Sequence, residues 1–263
     1  MDIGVNVVNQ AWQSFFDEIA RWRESGRTVD FWWRDDDACR PDPALARLVA
    51  LASANDVPLA LAVIPADVQG AAFEPAATRL TLLQHGADHH NRAATGDKKT
   101  EFPASESLST ALARLADGQM RLQRITGARI LPVLVPPWNR ISAPHLISHL
   151  AGAGYRGLST FGPRPSMYAA PGVLMVNTHV DVIDWRGSRG FVGENFALNL
   201  ATRHLQARRN GSADAQECTG WLTHHAVHDE AAWSFMAMLL EHTRRMDGVR
   251  WRAATDLFAG PTV

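Results

Sequence analysis

Segments with helical periodicity alternate with short β-type runs along almost the whole chain. Because strands that alternate with helices lie parallel and are joined by right-handed crossovers, this pattern predicts an α/β fold. At 263 residues we expect a distorted (β/α) barrel of seven or eight strands in preference to an open doubly wound sheet. The predicted helices cover about 8–25, 43–54, 105–126, 143–153, 194–209 and 230–246, and the predicted strands 28–33, 58–64, 80–84, 130–135, 157–160, 173–178, 221–223 and 249–251.

Composition favours neither nucleic acid nor a membrane as a partner. The net charge of −1 gives no field to attract nucleic acid, and no apolar run approaches the roughly 18 residues of a membrane span. Cys39 and Cys218 are too few for a disulfide framework, although a single bridge between them stays open. With no secretion signal, linker or repeat visible, we expect one cytoplasmic domain over 1–263; the sequence does not indicate its oligomeric state.

Five polar clusters follow predicted strands. Barrel enzymes assemble their active sites at the carboxyl ends of strands, so these positions are where catalytic side chains are expected. A structural protein would have no use for such clusters at five strand ends. They are Arg34–Asp37, His85–Asn91, Pro136–Arg140, His179–Trp185 and Leu222–His225.

Two histidines in the second cluster are spaced to share one metal ion. His85 and His89 are four residues apart, and side chains at that spacing lie on the same side of a helical turn. An aspartate from the first cluster would complete a three-ligand site that leaves room for water and substrate. The histidine pair alone is equally consistent with capping or surface residues, but the acidic cluster favours a divalent metal. Zinc is the default, and cobalt, nickel, manganese or iron would also suit these ligands.

The order of the clusters resembles that of the polysaccharide deacetylases with a NodB-homology domain, the family 4 carbohydrate esterases. The motifs of that family are, in chain order, Asp-Asp-Gly, His-(Ser/Thr)-x-x-His, Arg-x-Pro, a segment with Asp and Trp, and Leu-x-His. The matching segments here are Asp36-Asp37-Ala38, His85-Gly-Ala-Asp88-His89, Pro136-Pro137-Trp138-Asn139, Asp181-Val-Ile-Asp184-Trp185 and Leu222-Thr223-His224. The resemblance covers most of the chain and implies a distorted barrel of the glycoside hydrolase and deacetylase type that binds a divalent metal.

The resemblance also implies roles for particular residues. Asp36 would be the general base that takes a proton from water, and His224 the general acid, with Asp181 or a neighbour holding the other ring nitrogen of that histidine. Trp138 would cover the substrate pocket. The implied metal ligands are Asp37, His85 and His89, and the expected substrate contacts are Arg34, Pro137, Trp138, Asn139, Trp185 and His225.

Two of these roles have rivals next to them in the sequence. Asp35 could replace Asp36 as the base, but the alternation of side chains along a strand favours a position facing away, paired with Arg34 or a neighbouring helix. His225 competes with His224 as the acid. Both alternatives stay open at this point.

The chain departs from the family pattern in two places. Val135 stands where the arginine of the third motif is expected, so Arg34 or Arg140 would have to supply that positive charge. Gly86 stands where a Ser or Thr hydroxyl would steady the histidine loop, so Asp88 or Asn91 is expected to cap it instead.

The expected reaction is hydrolysis of an N-acetyl amide on an amino sugar or a sugar conjugate. A related barrel amidohydrolase acting on a small non-sugar amide or ester is the first alternative, because the same ion, base and acid would serve it. A protein that binds metal and carbohydrate without catalysis is the second, and the missing arginine of the third motif motivates it.

Overall fold

The computed structural model describes residues 4–69, 79–126 and 130–260, and these form seven helices and ten strands. The helices are α1 Gly4–Glu24, α2 Pro43–Asn55, α3 Leu108–Thr126, α4 Pro144–Ile147, α5 Glu194–Asn210, α6 Glu230–Thr243 and α7 Ala254–Leu257. The strands are β1 Val29–Ala38, β2 Leu59–Val63, β3 Leu80–His85, β4 Ile130–Val135, β5 Gly157–Leu158, β6 Tyr168–Ala170, β7 Val173–Met175, β8 Val180–Asp181, β9 Thr219–Thr223 and β10 Val249–Trp251.

Aspartate caps fix the starts of two helices that follow strands. Asp42 accepts a hydrogen bond from Leu45 N at 2.8 Å, and Pro43 occupies the first turn of α2, where its missing N–H costs nothing. Asp229 caps α6 in the same way, accepting from Ala232 N at 2.8 Å. Each cap satisfies an amide that the helix itself leaves unpaired, and it thereby fixes the residue at which the helix begins.

The strands form one sheet in which β1 holds a central place. Their order is β6-β7-β5-β4-β3-β2-β1-β9-β8, with β10 paired beside the start of β1, and every pair of strands is parallel except β6 with β7. Strand β1 pairs with β2 on one side and with β9 on the other, with Asp35 opposite Thr223. The carboxyl ends of β1, β3, β4 and β9 therefore meet at one edge of the sheet.

The sheet curves round as a distorted barrel, although its ladder is not closed. Strands β7 and β8, which pair with β5 and β9 respectively, are two parts of one stretch of chain. Between them, Thr178 N donates to Thr160 O at 3.1 Å, and His179 N donates to Gly220 O at 2.7 Å. This irregular stretch therefore touches both neighbours and brings the two sides of the sheet together.

Side chains of β1 alternate between two apolar layers. Phe31 and Trp33 belong to the larger core cluster, which packs the sheet against α1, α2, α5 and α6. Trp32 belongs to a second cluster, in which it packs with Leu83 of β3 and Val133 of β4. Neighbouring residues of a strand point to opposite faces of the sheet. Arg34 and Asp36 therefore lie on the same, inner face as Trp32, while Asp35 lies on the same face as Trp33, toward the helices.

The structure confirms the predicted α/β barrel class and differs in detail. The prediction that β1 stops at Arg34 is wrong, because the strand continues to Ala38 with a register shift between Asp35 and Ala38. The acidic run stays in the strand because its carboxylates find buried partners, described below. Helix α4 is shorter than predicted, and β6, β8 and α7 were not predicted. Among the described residues, no helix combines the length and apolarity needed to cross a membrane.

Candidate active site

Three side chains predicted to bind metal converge at the carboxyl end of the sheet. Asp37 Oδ1 lies 3.1 Å from His85 Nε2 and 3.2 Å from His89 Nε2, and the three candidate ligand atoms all lie within 4.8 Å of one another. Asp37, the residue before the last of β1, has φ of 70°, and His89 has φ of 56°. Both values are unusual for residues other than glycine, so the surrounding structure must hold these two backbone positions.

The ring of His85 is oriented as a metal ligand requires. Its Nδ1 lies 3.0 Å from Val135 O, and a carbonyl oxygen can only accept, so Nδ1 carries the proton. The lone pair of neutral His85 is then on Nε2, the atom that faces Asp37. A backbone carbonyl that fixes the tautomer in this way is usual behind histidines that bind metals.

Electrostatics at the three residues also suit a cation. Burial raises the pKa of Asp37, but hydrogen bonds from His85 and His89 outweigh it and hold the pKa well below its ordinary value. Burial lowers the pKa of His85, but the charge of Asp36 and the bond to Asp37 outweigh it and raise the pKa. The site thus attracts positive charge, and the donor set of one carboxylate and two imidazoles fits a divalent metal.

Arg34 and Asp36 form a fully buried ion pair on the inner side of β1. Arg34 Nε lies 2.9 Å from Asp36 Oδ1, and Arg34 Nη2 donates to Asp36 Oδ2 at 3.1 Å. The Arg34 guanidinium also donates hydrogen bonds to Ser159 Oγ at 2.6 Å and to Asn139 Oδ1 at 2.5 Å. Arg34 has no exposed surface, so its visible role is to orient Asp36.

Of the two arginines considered for the charge missing at Val135, the structure brings Arg34 to Asp36. Arg140 instead donates from Nη1 to Lys99 O at 2.7 Å, on the loop before α3. Arg34 therefore stands beside the predicted base, two residues away on the same strand.

Asp35 faces the helices, as predicted, but its predicted partners were wrong. Among the described residues, neither Arg34 nor an α-helix binds it; its partners are Thr223, the last residue of β9, and His225, in the 3-10 turn that follows. Asp35 Oδ1 lies 2.5 Å from His225 Nδ1, while Asp35 Oδ2 accepts from Thr223 Oγ1 at 2.6 Å and His225 N at 3.0 Å. Both oxygens of Asp35 are thus engaged. His225 is only 3% exposed, and although burial lowers its pKa, the Asp35 carboxylate raises it overall.

His224 directly precedes His225 at the start of the same turn and is 8% exposed. Its Nδ1 is 3.9 Å from Asp181 Oδ1, and the ring of Trp185 stands edge-on to it with 4.7 Å between centroids. Asp181 is fixed by two donors, Ile183 N at 3.0 Å and Trp185 Nε1 at 2.8 Å. Burial raises the pKa of Asp181, and the charge of His224 counteracts that effect. His224 and Asp181 are therefore near enough to interact electrostatically.

A strained turn after β4 places Trp138 beside the histidines. Pro137–Asn139 form a single 3-10 turn in which Trp138 has φ of 54° and Asn139 has φ of 53°. The Trp138 ring packs 4.6 Å from that of His89, between centroids. Trp138 and Trp185 thus stand next to His89 and His224 respectively, and Asn139 reaches Arg34.

The two predicted caps of the histidine loop differ in what they bind. Asp88 Oδ1 accepts from His90 N at 3.1 Å, inside the His85–Asn91 cluster, and Asp88 also binds Arg92 through both oxygens, at 2.8 and 2.5 Å. Asn91 Oδ1 accepts from Thr100 N at 3.0 Å. Among the hydrogen bonds of the described residues, neither side chain reaches the amides between His85 and His89.

A second cluster of candidate ligands, which the sequence did not suggest, is buried between β9 and α5. It comprises His179, His204 and Glu217, with His179 Nε2 lying 3.1 Å from Glu217 Oε1. Gly220 N donates to His179 Nδ1 at 3.0 Å. A ring nitrogen that accepts an amide hydrogen has no proton, so in neutral His179 the proton is on Nε2 and no lone pair faces the cluster. We therefore interpret this cluster as structural.

This cluster predicts loss of stability in acid. Burial lowers the pKa of His179 to about 4, against 6.5 in the unfolded chain. Between those values only the unfolded chain takes up the proton, so the free energy of unfolding is fully retained above pH 6.5 and falls by roughly 3 kcal/mol by pH 4. Urea unfolding with a chelator present, which removes any effect of metal release, would measure this slope.

His179→Asn is the matched comparison. Its amide oxygen can still accept from Gly220 N, but it does not titrate, so the slope between pH 6.5 and 4 is expected to be shallower. Equal slopes in the variant and the parent chain would contradict this account of His179.

Comparison with solved structures identifies the fold. No protein-family model matches the chain, and no curated protein matches its sequence. A protein from Mycobacterium smegmatis classed as a polysaccharide deacetylase matches with a TM-score of 0.64 and 16% identity over 89% of this chain and 90% of that one. A family 4 acetyl xylan esterase from Clostridium thermocellum, solved with a cobalt ion, and a peptidoglycan deacetylase from Bacillus subtilis each match with a TM-score of 0.52 and 16% identity, over 88% of this chain and 90% of theirs.

The chain therefore has the fold of the polysaccharide deacetylases and family 4 carbohydrate esterases. The resemblance drawn from the motifs is confirmed at the level of the fold, along nearly the full length of these structures.

Proposed function

We propose that the chain is a metal-dependent hydrolase that removes the acetyl group from an N-acetylated amino sugar or sugar conjugate. The observation that carries the proposal is the convergence of Asp37, His85 and His89, with the His85 tautomer that a metal requires and a buried Arg34–Asp36 pair beside it. The fold shared with deacetylases and esterases supports the same class of reaction.

Asp36 is the proposed base. A divalent metal held by Asp37, His85 and His89 would supply Lewis acidity, which lowers the pKa of water toward about 7. A carboxylate has about four lone-pair positions, and Arg34 donates one hydrogen bond to Asp36, from Nη2 to Oδ2, so others are left to accept a proton. Asp35 is a poorer candidate because three donors already occupy its oxygens.

His224 is the proposed acid. As water adds to the acetyl carbon, its proton passes to Asp36; as the carbon–nitrogen bond breaks, His224 gives a proton to the departing nitrogen. The products are acetate and a free amine. Asp181 Oδ1 lies 3.9 Å from His224 Nδ1, so Asp181 is placed to orient the ring for this step. The buried ring of His225, bound to Asp35, is less able to meet a substrate.

Two tryptophans support a sugar as the substrate. Trp138 packs against His89, and Trp185 is 39% exposed beside His224, so aromatic surface stands next to both the proposed ligand and the proposed acid. Apolar faces of sugar rings pack well on such side chains.

Metal content and acetate release together test the proposal. We expect about one zinc or similar ion per chain, and acetate from N-acetylated sugars that stops when a chelator removes the metal and resumes when the metal is restored. The panel should include chitin oligomers, peptidoglycan fragments, acetylated xylan and N-acetylated amino acids. Sugar binding without acetate release would indicate a recognition protein, and release from non-sugar amides alone would indicate a different amidohydrolase.

A further inference from the structure

We infer that Glu101 is a positioning residue for the turn that carries His85 and His89, where its carboxylate takes the place of a side-chain hydroxyl at residue 86. This inference rests on the proposed metal site. Glu101 lies on the loop that precedes α3 and is completely buried.

The carboxylate binds the backbone between the two histidines. Glu101 Oε1 accepts from Ala87 N at 2.9 Å and from Asp88 N at 3.3 Å. These are consecutive amides of the turn, and one carboxylate oxygen accepts from both of them. Glu101 therefore binds the backbone amides of the two residues that precede His89.

Residue 86 has no room for the hydroxyl that Glu101 replaces. Gly86 has φ of 57°, a backbone conformation that residues other than glycine adopt only at a cost in free energy. A Cβ there would overlap Glu101 Oε2 and lie 2.6 Å from Pro137 Cδ. Gly86 and the buried carboxylate are thus complementary in space, and a Ser or Thr at 86 could not coexist with Glu101 in this position.

Arg114 contacts both the side chain and the backbone of Glu101. Its Nε lies 3.6 Å from Glu101 Oε1, and its Nη2 donates to Glu101 O at 3.1 Å. The same guanidinium binds Glu106, with Nη2 to Oε2 at 3.0 Å. Glu106 touches Arg114 as Glu101 does, but it makes no described contact with the histidine turn, which makes it a suitable control.

The consequence for the metal site follows from His89. Its φ of 56° places it in the left-handed region, which costs roughly 1–2 kcal/mol for a residue with a side chain. Backbone bonds from Gly86 N to Val135 O and from Ala66 N to Ala87 O also hold the turn. Without the further bonds to Ala87 N and Asp88 N, the turn would be less firmly held, and His89 Nε2 would shift from its place 3.2 Å from Asp37 Oδ1. Removing a group that orients a ligand typically weakens metal binding by about 10- to 100-fold.

The test compares Glu101→Leu, Glu101→Gln and Glu106→Gln with the parent chain. Zinc affinity would be measured by competition with a chelating dye, the geometry of the site by the visible spectrum of the cobalt-loaded protein, and the stability of the fold by thermal unfolding with a chelator present. We expect Glu101→Leu to lose about 10- to 100-fold in zinc affinity and to change the cobalt spectrum. Glu101→Gln keeps an acceptor oxygen and is expected to lose about fivefold. Glu106→Gln should bind zinc like the parent.

The outcomes separate this inference from the proposed function. Unchanged zinc affinity and cobalt spectrum in Glu101→Leu, with only a lower melting temperature, would overturn the positioning role and leave the metal site intact. An equal loss of affinity in Glu106→Gln would also overturn it, because the effect would then pass through Arg114. A parent chain that binds no metal would overturn both the inference and the proposed function. Should Glu101→Leu not fold, the comparison of Glu101→Gln with Glu106→Gln decides the question.

Discussion

Replacing Asp36 by asparagine is expected to lower acetate release by about 10²- to 10⁴-fold without reducing metal content. The amide cannot accept the proton that the carboxylate takes from water, but it keeps the size of the side chain and an oxygen for Arg34. The metal ligands are other residues, so metal binding should survive. The measurements are kcat on the best N-acetylated substrate, metal content of the purified protein, and thermal unfolding.

Asp35→Asn is the matched control, because it removes the neighbouring carboxylate from the opposite face of the same strand. Its main effect should be on stability, since Asp35 binds His225 and Thr223 inside the fold. Undiminished acetate release from Asp36→Asn would eliminate the base assignment. Loss of turnover in Asp35→Asn at unchanged stability would transfer the assignment to Asp35.

Replacing Arg34 by methionine is expected to have the largest effect on stability. It leaves the buried Asp36 carboxylate without its cation, and breaking a buried ion pair from one side costs about 3–5 kcal/mol. Turnover should also fall, by about 10²-fold, because a base displaced by an ångström loses its alignment. Urea unfolding measures the first effect, and kcat at a temperature where the variant is folded measures the second.

Arg140→Met is the control for this experiment. The guanidinium of Arg140 donates to a backbone carbonyl of the neighbouring loop, so its loss should cost about 1 kcal/mol and leave kcat nearly unchanged. If Arg140→Met were the variant that lost turnover, Arg140 and not Arg34 would supply the charge missing at Val135.

The sequence could predict those parts of the fold and site that depend on local patterns. Helical and strand periodicity located α1, α2, α3, α5 and α6, and the polar clusters at strand ends located the residues that converge at Asp37. The alternation of side chains along β1 correctly separated Asp35 from Asp36. These features follow from residues close together in the chain, whose spacing sets their direction.

Features that depend on contacts between distant segments could not be predicted. The partner of Asp35 follows from the register that places it opposite Thr223, and nothing near Asp35 in the sequence encodes that register. Glu101 reaches the histidine turn only because a loop folds back over it. The cluster of His179, His204 and Glu217 likewise forms from three separate segments. β1 was also predicted too short, because a run of carboxylates is a poor strand unless buried partners are known.

Arg34 and Asp36 are carried by one strand, and this has a mechanical consequence. In a fold where the base and its cation sit on different strands, any sliding of those strands changes the distance between the two charges. Here both residues lie on β1, so the backbone of one strand sets most of the distance between the two charges. If Asp36 is the base that we propose, its pairing with Arg34 would not depend on how the strands slide past one another.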